Sequence, residues 1–314
     1  MRLRGVLLVL ALLLAVTAVV PVLLLGEGGG IGGEGGEVVV APAPPFNSSR
    51  VRAVSWEPRI FVYEGFLSEA ECDHLVRLGK RKVHRSMVAD NESGKSVMSE
   101  VRTSSGTFLD KRQDPVVSRI EERIAKWTFL PEENAENIQI LRYEHGQKYE
   151  PHFDYFHDKV NQARGGHRYA TVLMYLTTVE KGGETIFPNA KGWESQPKDD
   201  TFSECARKGL AVKPVKGDAV LFFSLHVDGV PDPLSLHGSC PVIEGEKWSA
   251  PKWIHVRSYE NSPALEEETE GCTDKSRHCA QWAAAGECGK NPAYMVGSEG
   301  SPGKCRKSCK VCDS

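Results

Sequence analysis

Residues 142–156 read RYEHGQKYEPHFDYF and contain His152 and Asp154, separated by a single residue. Side chains two positions apart point to the same face of an extended chain. One imidazole nitrogen and one carboxylate oxygen can therefore bind the same metal ion from this short segment. The pair is a weak signal by itself, because His226 and Asp228 have the same spacing. A third ligand has to decide between the two pairs.

A histidine and a carboxylate at this spacing occur in the 2-His-1-carboxylate sites of non-haem iron enzymes. Such a site needs a second histidine, which another strand has to supply. If 2-oxoglutarate is the cosubstrate, a cation must also meet its distal carboxylate. Of His226, His237 and His255, only His237 is followed ten residues later by a cation, Lys247. The histidines after the second pair have no cation at that offset, which indicates that His226 lies in a surface loop. The consistent set is His152, Asp154, His237 and Lys247.

The chain around this set predicts a β-rich domain over residues 51–260. Strand-like runs separated by turn signals lie at 59–63, 137–143, 169–177, 209–215, 218–224 and 252–259. Two helices are also indicated, because Ser68 and Glu71 form a capping box and 114–128 has Pro in its first turn. This order predicts a β-rich α+β fold, a barrel or sandwich backed by helices. No G-x-G-x-x-G or P-loop occurs, so nucleotide binding is not indicated.

The N-terminus predicts a membrane anchor. Residues 5–25 carry no charge and would span about 31 Å as a helix, the thickness of a bilayer core. Arg2 and Arg4 precede this span, so the positive-inside rule keeps them cytosolic and sends the rest of the chain into the lumen. Pro21 leaves cleavage as a signal peptide open. We assign 1–25 to a cytosolic stub and signal-anchor helix of a single-pass type II protein.

A linker follows the anchor. Residues 26–50 are rich in Gly and then in Pro, a composition that does not build a core. Asn47 and Asn91 begin N-x-S/T sequons, which are glycosylation acceptors in lumenal proteins. These features predict a folded domain on the lumenal side of the endoplasmic reticulum or Golgi membrane.

The C-terminus predicts a separate disulfide module. Six of the nine cysteines fall within residues 272–312. About 40 residues rarely fold on a hydrophobic core alone, and three disulfides would stabilise them. Zinc is the weaker alternative, because only Cys309 and Cys312 form a close pair. The six cysteines allow 15 connectivities, which spacing alone leaves open.

Three cysteines lie outside this module, so one of them stays unpaired in an oxidising compartment. Cys72 sits within a helical pattern and fits a small buried residue. Cys205 belongs to a long polar insert, and Cys240 follows His237 by three residues. We predict a Cys205–Cys240 disulfide and a free thiol at Cys72.

Composition and charge exclude one class of function. The 314 residues are 40% hydrophobic, which is enough for a globular core. They include 39 basic and 42 acidic side chains, for a net charge of −3. This balance argues against a nucleic-acid partner bound through bulk electrostatics.

Longer motifs around the metal set carry a family resemblance. They are RYEHGQKYEPHFDYF (142–156), RYATVLMYL (168–176), GGETIFP (182–188), KGDAVLFF (216–223) and HGSCPVIEGEKWSAPKWIH (237–255). With the metal set they resemble the plant-type prolyl 4-hydroxylases, which are Fe(II)/2-oxoglutarate dioxygenases, over nearly all of 56–260. The closing C-x3-C-x2-C resembles the ShKT module, and plant members with an anchor and such a tail are known. The resemblance implies a double-stranded β-helix, or jelly-roll, followed by a ShKT-like domain at 272–312.

The resemblance also implies roles for individual residues. The Fe(II) ligands would be His152, Asp154 and His237. Lys247 would pair with the distal carboxylate of 2-oxoglutarate, supported by the hydroxyls of Tyr143 and Thr185. The positions near the substrate proline would be Tyr149, Arg168, Trp253 and His255. The run RTSSGTF (102–108) resembles a mobile loop that closes over the peptide, and the ShKT pattern implies the pairs Cys272–Cys312, Cys279–Cys305 and Cys288–Cys309.

The activity implied by the resemblance is hydroxylation of peptidyl proline to 4-hydroxyproline in secreted Pro-rich chains. Such an enzyme consumes O2 and 2-oxoglutarate, releases succinate and CO2, and uses L-ascorbate to rescue oxidised iron. One alternative is a lumenal interaction protein whose ShKT tail binds partners beside a spent dioxygenase domain; the intact metal set argues against it. Another alternative is hydroxylation of lysine or of a small molecule. Only the resemblance to prolyl 4-hydroxylases argues against it.

Overall fold

The computed structural model describes residues 41, 45–89, 95–259, 274, 276, 278–298 and 301–311. The predicted anchor, most of the linker, Asn91, Cys272 and Cys312 lie outside the described residues. Within the described ranges, no helix combines the length and the apolar character needed to cross a bilayer.

Two long helices begin where the sequence predicts them. They are α1 Glu69–Lys80 and α2 Pro115–Thr128. Ser68 accepts a hydrogen bond from the Glu71 amide, and the Glu71 carboxylate accepts one from the Ser68 amide, which completes the capping box. Asp114 caps α2 by accepting from two backbone amides, and α2 ends at Phe129 in the left-handed conformation. The shorter helices are α3 Lys159–Ala163, α4 Cys279–Ala284, α5 Glu287–Lys290 and α6 Pro292–Met295.

The rest of the fold is built from short strands. In chain order they are β1 Val51–Trp56, β2 Arg59–Tyr63, β3 His84–Arg85, β4 Met87–Ala89, β5 Ser96–Met98, β6 Ser105–Phe108, β7 Gln139–Tyr143, β8 Tyr149–His152, β9 Arg168–Tyr175, β10 Lys181–Gly182, β11 Thr185–Phe187, β12 Leu210–Val212, β13 Ala219–Phe223, β14 His237–Ser239, β15 Val242–Glu244, β16 Lys247–His255, β17 Gly297–Ser298 and β18 Ser301–Pro302.

Twelve of these strands form a jelly-roll of two antiparallel sheets, and the other six form the two-stranded pairs β4-β5, β10-β15 and β17-β18. The larger sheet has eight strands in the order β1-β2-β13-β9-β16-β7-β6-β3, and the smaller has the order β12-β11-β14-β8. Chain neighbours such as β8 and β9 lie in different sheets, so the chain crosses repeatedly between the two layers. In the smaller sheet β14 pairs with β8 and places His237 directly opposite His152.

Apolar side chains fill both faces of the larger sheet. On one face Leu75 of α1 and Ile120 of α2 pack with Ile140 of β7. On the other face Phe222 of β13 packs with Phe187 of β11, so this layer lies between the two sheets. The central strands of the larger sheet are thereby fixed from both sides, which gives the side chains that they carry a rigid support.

The run 102–108 differs from the expected mobile loop. Its last four residues form β6, between β7 and β3 of the larger sheet. Arg102 is buried and donates hydrogen bonds to Ser104, to Gln139 and to the Met87 carbonyl. The strand ladder and these bonds hold the run in place. The paired strands β4 and β5 lie beside this run, where the Met87 carbonyl accepts from Arg102.

The tail contains three short helices and two disulfides within the described residues. Cys279 is bonded to Cys305, and Cys288 is bonded to Cys309. Both sulfur pairs and the side chain of Met295 form one small apolar cluster. Two of the three pairs implied by the ShKT pattern are therefore present, and the third falls outside the described residues.

Candidate active site

His152, Asp154 and His237 meet at the end of the smaller sheet. His152 is the last residue of β8, Asp154 follows it by two positions, and His237 is the first residue of β14. Ligand atoms of all three lie within 4.8 Å of one another. Nε2 of His152 is 3.8 Å from Asp154 Oδ1, and Nε2 of His237 is 3.6 Å from Asp154 Oδ2. One short antiparallel pair of strands therefore supplies three converging ligand atoms.

Both imidazoles are oriented by backbone carbonyls. Nδ1 of His152 is 2.8 Å from the Glu150 oxygen, and Nδ1 of His237 is 2.9 Å from the Ser235 oxygen. Each Nδ1 donates its proton to a carbonyl, which leaves each Nε2, the nitrogen on the side of Asp154, as the atom available to a metal ion. Burial and the nearby His237 lower the pKa of His152 to about 3, so this imidazole is neutral at physiological pH.

The carboxylate of Asp154 is fixed by two donors from the larger sheet. Thr171 on β9 donates to Oδ2 at 2.6 Å, and the indole of Trp253 on β16 donates to the same oxygen at 3.0 Å. Burial alone would raise the pKa of Asp154, but the neighbouring histidines and Arg168 hold that pKa below its usual range. Two imidazoles and one carboxylate are the donor set that suits a non-haem Fe(II) ion. These residues therefore fit the metal that the sequence implies.

Lys247 reaches the same pocket from the first position of β16. Its ammonium group is buried and donates to the Gly183 carbonyl at 2.7 Å and to Ser239 Oγ at 2.8 Å. Burial lowers the pKa of Lys247 to about 7, and the charge of Glu184 opposes this shift. Lys247 lines one pocket with all three candidate metal ligands. The pocket thus ends in a cation that can bind a carboxylate.

Tyr143 and Thr185 also line this pocket. The Tyr143 ring lies 5.2 Å from the Lys247 ammonium, while the Thr185 hydroxyl is 2.7 Å from the hydroxyl of Tyr175. Both residues are buried. Tyr143 lies beside the Lys247 ammonium, and Thr185 lies beside the Tyr175 hydroxyl. Both predicted supporting residues therefore line the same pocket as Lys247.

A wide groove opens from the metal centre toward the surface. Tyr149 stacks on the His152 ring, with centroids 3.6 Å apart, and the Arg102 guanidinium lies 4.8 Å from the centroid of the Tyr149 ring. Trp253 and Phe156 flank the Arg168 guanidinium at 4.1 Å and 4.9 Å. All of these side chains line the groove. The predicted substrate-contact residues therefore lie together beside the metal ligands.

Arg168 and His255 share a carboxylate that sequence reasoning does not identify, that of Glu136. Arg168 binds Glu136 through two nitrogens, at 2.5 Å and 3.1 Å, and His255 Nε2 is 2.9 Å from the same carboxylate. Burial alone would raise the pKa of Glu136, but the two partners lower it to about 2. Glu136 lies in a short irregular segment without a motif, so no sequence pattern marks it.

Two predictions about residues outside the pocket are confirmed. His226 is exposed and lies 3.7 Å from Asp232, in a surface loop, as the sequence predicts. Cys205 and Cys240 form the predicted disulfide, and Cys72 is a free buried thiol whose pKa is raised to about 12 by burial. The Cys205–Cys240 bond ties the insert before β12 to the strand segment that carries His237.

Proteins similar to this chain belong to a family whose members use Fe(II) and 2-oxoglutarate. The model of the 2OG-Fe(II) oxygenase superfamily matches residues 138–255. The chain is 63% identical over 269 residues to probable prolyl 4-hydroxylase 7 of Arabidopsis thaliana, covering 86% of this chain and 84% of that protein. It is 59% identical over 279 residues to prolyl 4-hydroxylase 2 of the same plant, covering 88% and 92%.

Among the solved structures that match is the viral collagen prolyl hydroxylase of Paramecium Bursaria Chlorella virus-1 in complex with 2OG. It has 26% identity and a TM-score of 0.46, and the match covers 62% of this chain and 94% of that chain. The plant relatives are far more similar, and their alignments extend over most of both proteins. The chain belongs to the plant-type prolyl 4-hydroxylases, a family of 2-oxoglutarate- and Fe(II)-dependent oxygenases.

Proposed function

We propose that this enzyme hydroxylates peptidyl proline to 4-hydroxyproline in secreted Pro-rich proteins, consuming O2 and 2-oxoglutarate and releasing succinate and CO2. The observation that carries the proposal is that one pocket holds three converging metal ligands and a buried cation. The same centre opens into a groove lined by aromatic side chains. The pocket suits a metal-bound dicarboxylate, and the groove suits a peptide.

Each end of the pocket has a distinct task. His152, Asp154 and His237 would hold Fe(II), and Lys247 would bind the distal carboxylate of 2-oxoglutarate beside Tyr143 and Thr185. Bound together, Fe(II) and 2-oxoglutarate supply the oxidising power that places one oxygen atom of O2 at a C–H bond. L-Ascorbate would return oxidised iron to the ferrous state.

The groove residues would hold the proline ring against the metal centre. Tyr149 and Trp253 offer flat apolar surfaces, and each is fixed, one by stacking on His152 and the other by its hydrogen bond to Asp154. Arg168 keeps its guanidinium between Trp253 and Glu136. A Pro-rich chain in the polyproline II conformation is stiff before it binds, so an aromatic-lined groove loses little entropy in ordering it.

We place the enzyme in the membrane of the endoplasmic reticulum or Golgi, with the catalytic domain in the lumen. The apolar span 5–25, preceded by Arg2 and Arg4, supports a signal anchor. The three disulfides among the described residues support an oxidising compartment. Asn47 is exposed and accepts hydrogen bonds from the Ser49 amide and hydroxyl, so its sequon is accessible for glycosylation.

The tail would form a ShKT domain closed by a third disulfide, Cys272–Cys312. Mass spectrometry of unreduced peptides tests this pairing directly. Protease protection of microsomes and endoglycosidase treatment of the full chain test its orientation and glycosylation. Protection of only the first few residues, with the catalytic domain digested, would contradict a lumenal domain.

The activity is tested with the full chain, Fe(II), 2-oxoglutarate, ascorbate and a proline-rich peptide. We expect 4-hydroxyproline and succinate in equal amounts. A matched peptide with lysine in place of each proline tests the alternative substrate. Hydroxylation of the lysine peptide alone would contradict the proposal, as would succinate formation that no peptide stimulates.

A further inference from the structure

Arg164 is a cation at the groove, and none of the described carboxylates neutralises its charge. It follows the last residue of α3, is exposed, and lines the groove. Its guanidinium lies 3.9 Å from the centroid of the Tyr259 ring. Within the described part of the chain, no carboxylate pairs with it and no acceptor takes a hydrogen bond from its guanidinium. Arg168 differs, because its Nε and Nη2 both donate to the Glu136 carboxylate.

The backbone next to Arg164 is fixed to the strand that carries the substrate-contact residues. Gly166 offers its carbonyl to His255 Nδ1 at 3.0 Å. Gly165 has φ +74°, and a Cβ there would come within 2.9 Å of the same imidazole, so only glycine fits this close approach. Tyr259, under the guanidinium, also packs on the His255 ring at 4.7 Å. Arg164 is therefore held in register with the catalytic groove.

The groove as a whole favours anionic side chains. Its described lining contains five Lys or Arg residues, namely Arg85, Lys95, Arg102, Arg164 and Arg168, against three acids, Glu136, Glu150 and Asp154. Glu136 is taken by Arg168 and His255, and Glu150 by Lys148. Asp154 belongs to the metal site. Among the cations, Arg168 pairs with Glu136, and Arg85 pairs with Glu100. Arg164 is exposed and has no carboxylate partner among the described residues, so its guanidinium can form a bidentate pair with a substrate carboxylate.

We propose that Arg164, held on Tyr259, is a specificity residue that selects an Asp or Glu side chain of the proline-rich substrate. This inference rests on the proposed function. From the metal centre, the row Trp253, Arg168, Glu136, His255 and Tyr259 leads to Arg164 through successive contacts. A polyproline II chain advances about 3.1 Å per residue, so the acidic residue lies several positions from the hydroxylated proline.

The test uses proline-rich peptides with one reactive proline and one Glu, moved one position at a time, each matched by a Gln peptide. The quantity measured is the ratio of kcat/KM for the Glu and Gln members of each pair. For the unaltered enzyme we expect this ratio to reach about two- to fivefold at one position, the size of a solvent-exposed ion pair. The preference should shrink as salt is added, because the pair is exposed.

Arg164→Gln should bring the ratio close to one at that position while the Gln peptide is hydroxylated as before. Arg164→Glu should reverse the preference, and Arg164→Lys should retain part of it. Arg52→Gln, which alters an exposed arginine on β1, is the matched control and should keep the full ratio. A preference that survives in Arg164→Gln, or no preference at any position, overturns the inference while proline hydroxylation stands. Failure of the unaltered enzyme to hydroxylate any peptide overturns the proposed function itself.

Discussion

At the scale of single residues, the pocket depends on charges that burial disfavours. Lys247 is almost fully buried, yet its role requires a protonated ammonium. Burial lowers its pKa to about 7, so the charge is present below pH 7 and is lost as the pH rises through that value. The distal carboxylate of 2-oxoglutarate stays ionised over this range. Binding of 2-oxoglutarate is therefore expected to weaken above neutral pH.

We predict that the KM for 2-oxoglutarate is level below pH 7 and rises between pH 7 and pH 9. Lys247→Ala should raise this KM by about 30-fold or more below pH 7, because losing one partner of a desolvated pair costs roughly 2–5 kcal/mol, and the ratio to the unaltered enzyme should shrink as the pH rises. The same variant should remove the pH dependence. Steady-state kinetics with varied 2-oxoglutarate measure both effects. An unchanged KM in Lys247→Ala would mean that another cation binds the cosubstrate.

His237→Ala, His152→Ala and Asp154→Ala should each abolish hydroxylation without unfolding the protein. Each removes one of only three protein ligands for the metal. Iron content after gel filtration and far-UV circular dichroism separate metal loss from unfolding. His226→Ala is the matched control, since its ring is exposed and outside the cluster, and it should keep full activity. Near-normal turnover in one of the three variants would remove that residue from the metal site.

Functional residues that belong to a sequence motif can be predicted from the sequence, whereas those outside any motif cannot. The one-residue spacing of His152 and Asp154 translates directly into neighbouring ligand atoms. Glu136 reaches Arg168 and His255 only because the segment before β7 packs beside β16, where the Glu136 amide donates to the Trp253 carbonyl. Such a contact depends on the tertiary fold, and no local pattern encodes it.

At the scale of elements, long amphipathic segments are predictable and short strands are not. The bounds of α1, α2 and β2 follow from caps and hydrophobic patterns in the sequence. Strands β11 and β14 have three residues each, too few to show an alternating pattern, and both owe their extended form to pairing with each other. The expected loop at 102–108 is wrong for a related reason. Its small polar residues fit a loop in isolation, but their neighbours β7 and β3 draw them into the sheet.

The two long helices are joined by a buried ion pair whose loss should destabilise the domain. Arg123 of α2 donates to both oxygens of Glu71 of α1, at 2.8 Å and 3.1 Å, and also to the Phe66 carbonyl. Glu71→Ala leaves this guanidinium buried and unpaired and removes half of the capping box. We predict a loss of about 3–5 kcal/mol in the free energy of unfolding.

Urea denaturation followed by tryptophan fluorescence measures this loss. The neighbouring Glu69→Ala is the control, because Glu69 is exposed in the same helical turn and should change stability by less than about 0.5 kcal/mol. Equal stabilities of the two variants would show that the Glu71–Arg123 pair contributes nothing beyond what it costs to desolvate.

At the scale of the whole molecule, the chemistry is confined to one part of the chain. Every candidate ligand for iron and 2-oxoglutarate lies between Tyr143 and His255. The smaller sheet supplies the metal ligands, while the larger sheet supplies Lys247 and the donors to Asp154. Reactivity therefore depends on the distance between the two sheets, which the apolar layer of Phe187 and Phe222 maintains.

The tail from residue 272 onward should be dispensable for this chemistry. Its described disulfides join tail cysteines only to one another, and none reaches the catalytic domain. A chain that ends near Ser262 should keep iron binding, 2-oxoglutarate decarboxylation and hydroxylation of a short proline-rich peptide. A long substrate is the discriminating case, since a second contact on the same chain raises effective concentration, and losing it would raise KM for the long peptide alone. The measurement compares both chains on both peptides, with thermal unfolding as the check on folding. Loss of activity on the short peptide by a truncated chain that remains folded would make the tail part of the catalytic unit.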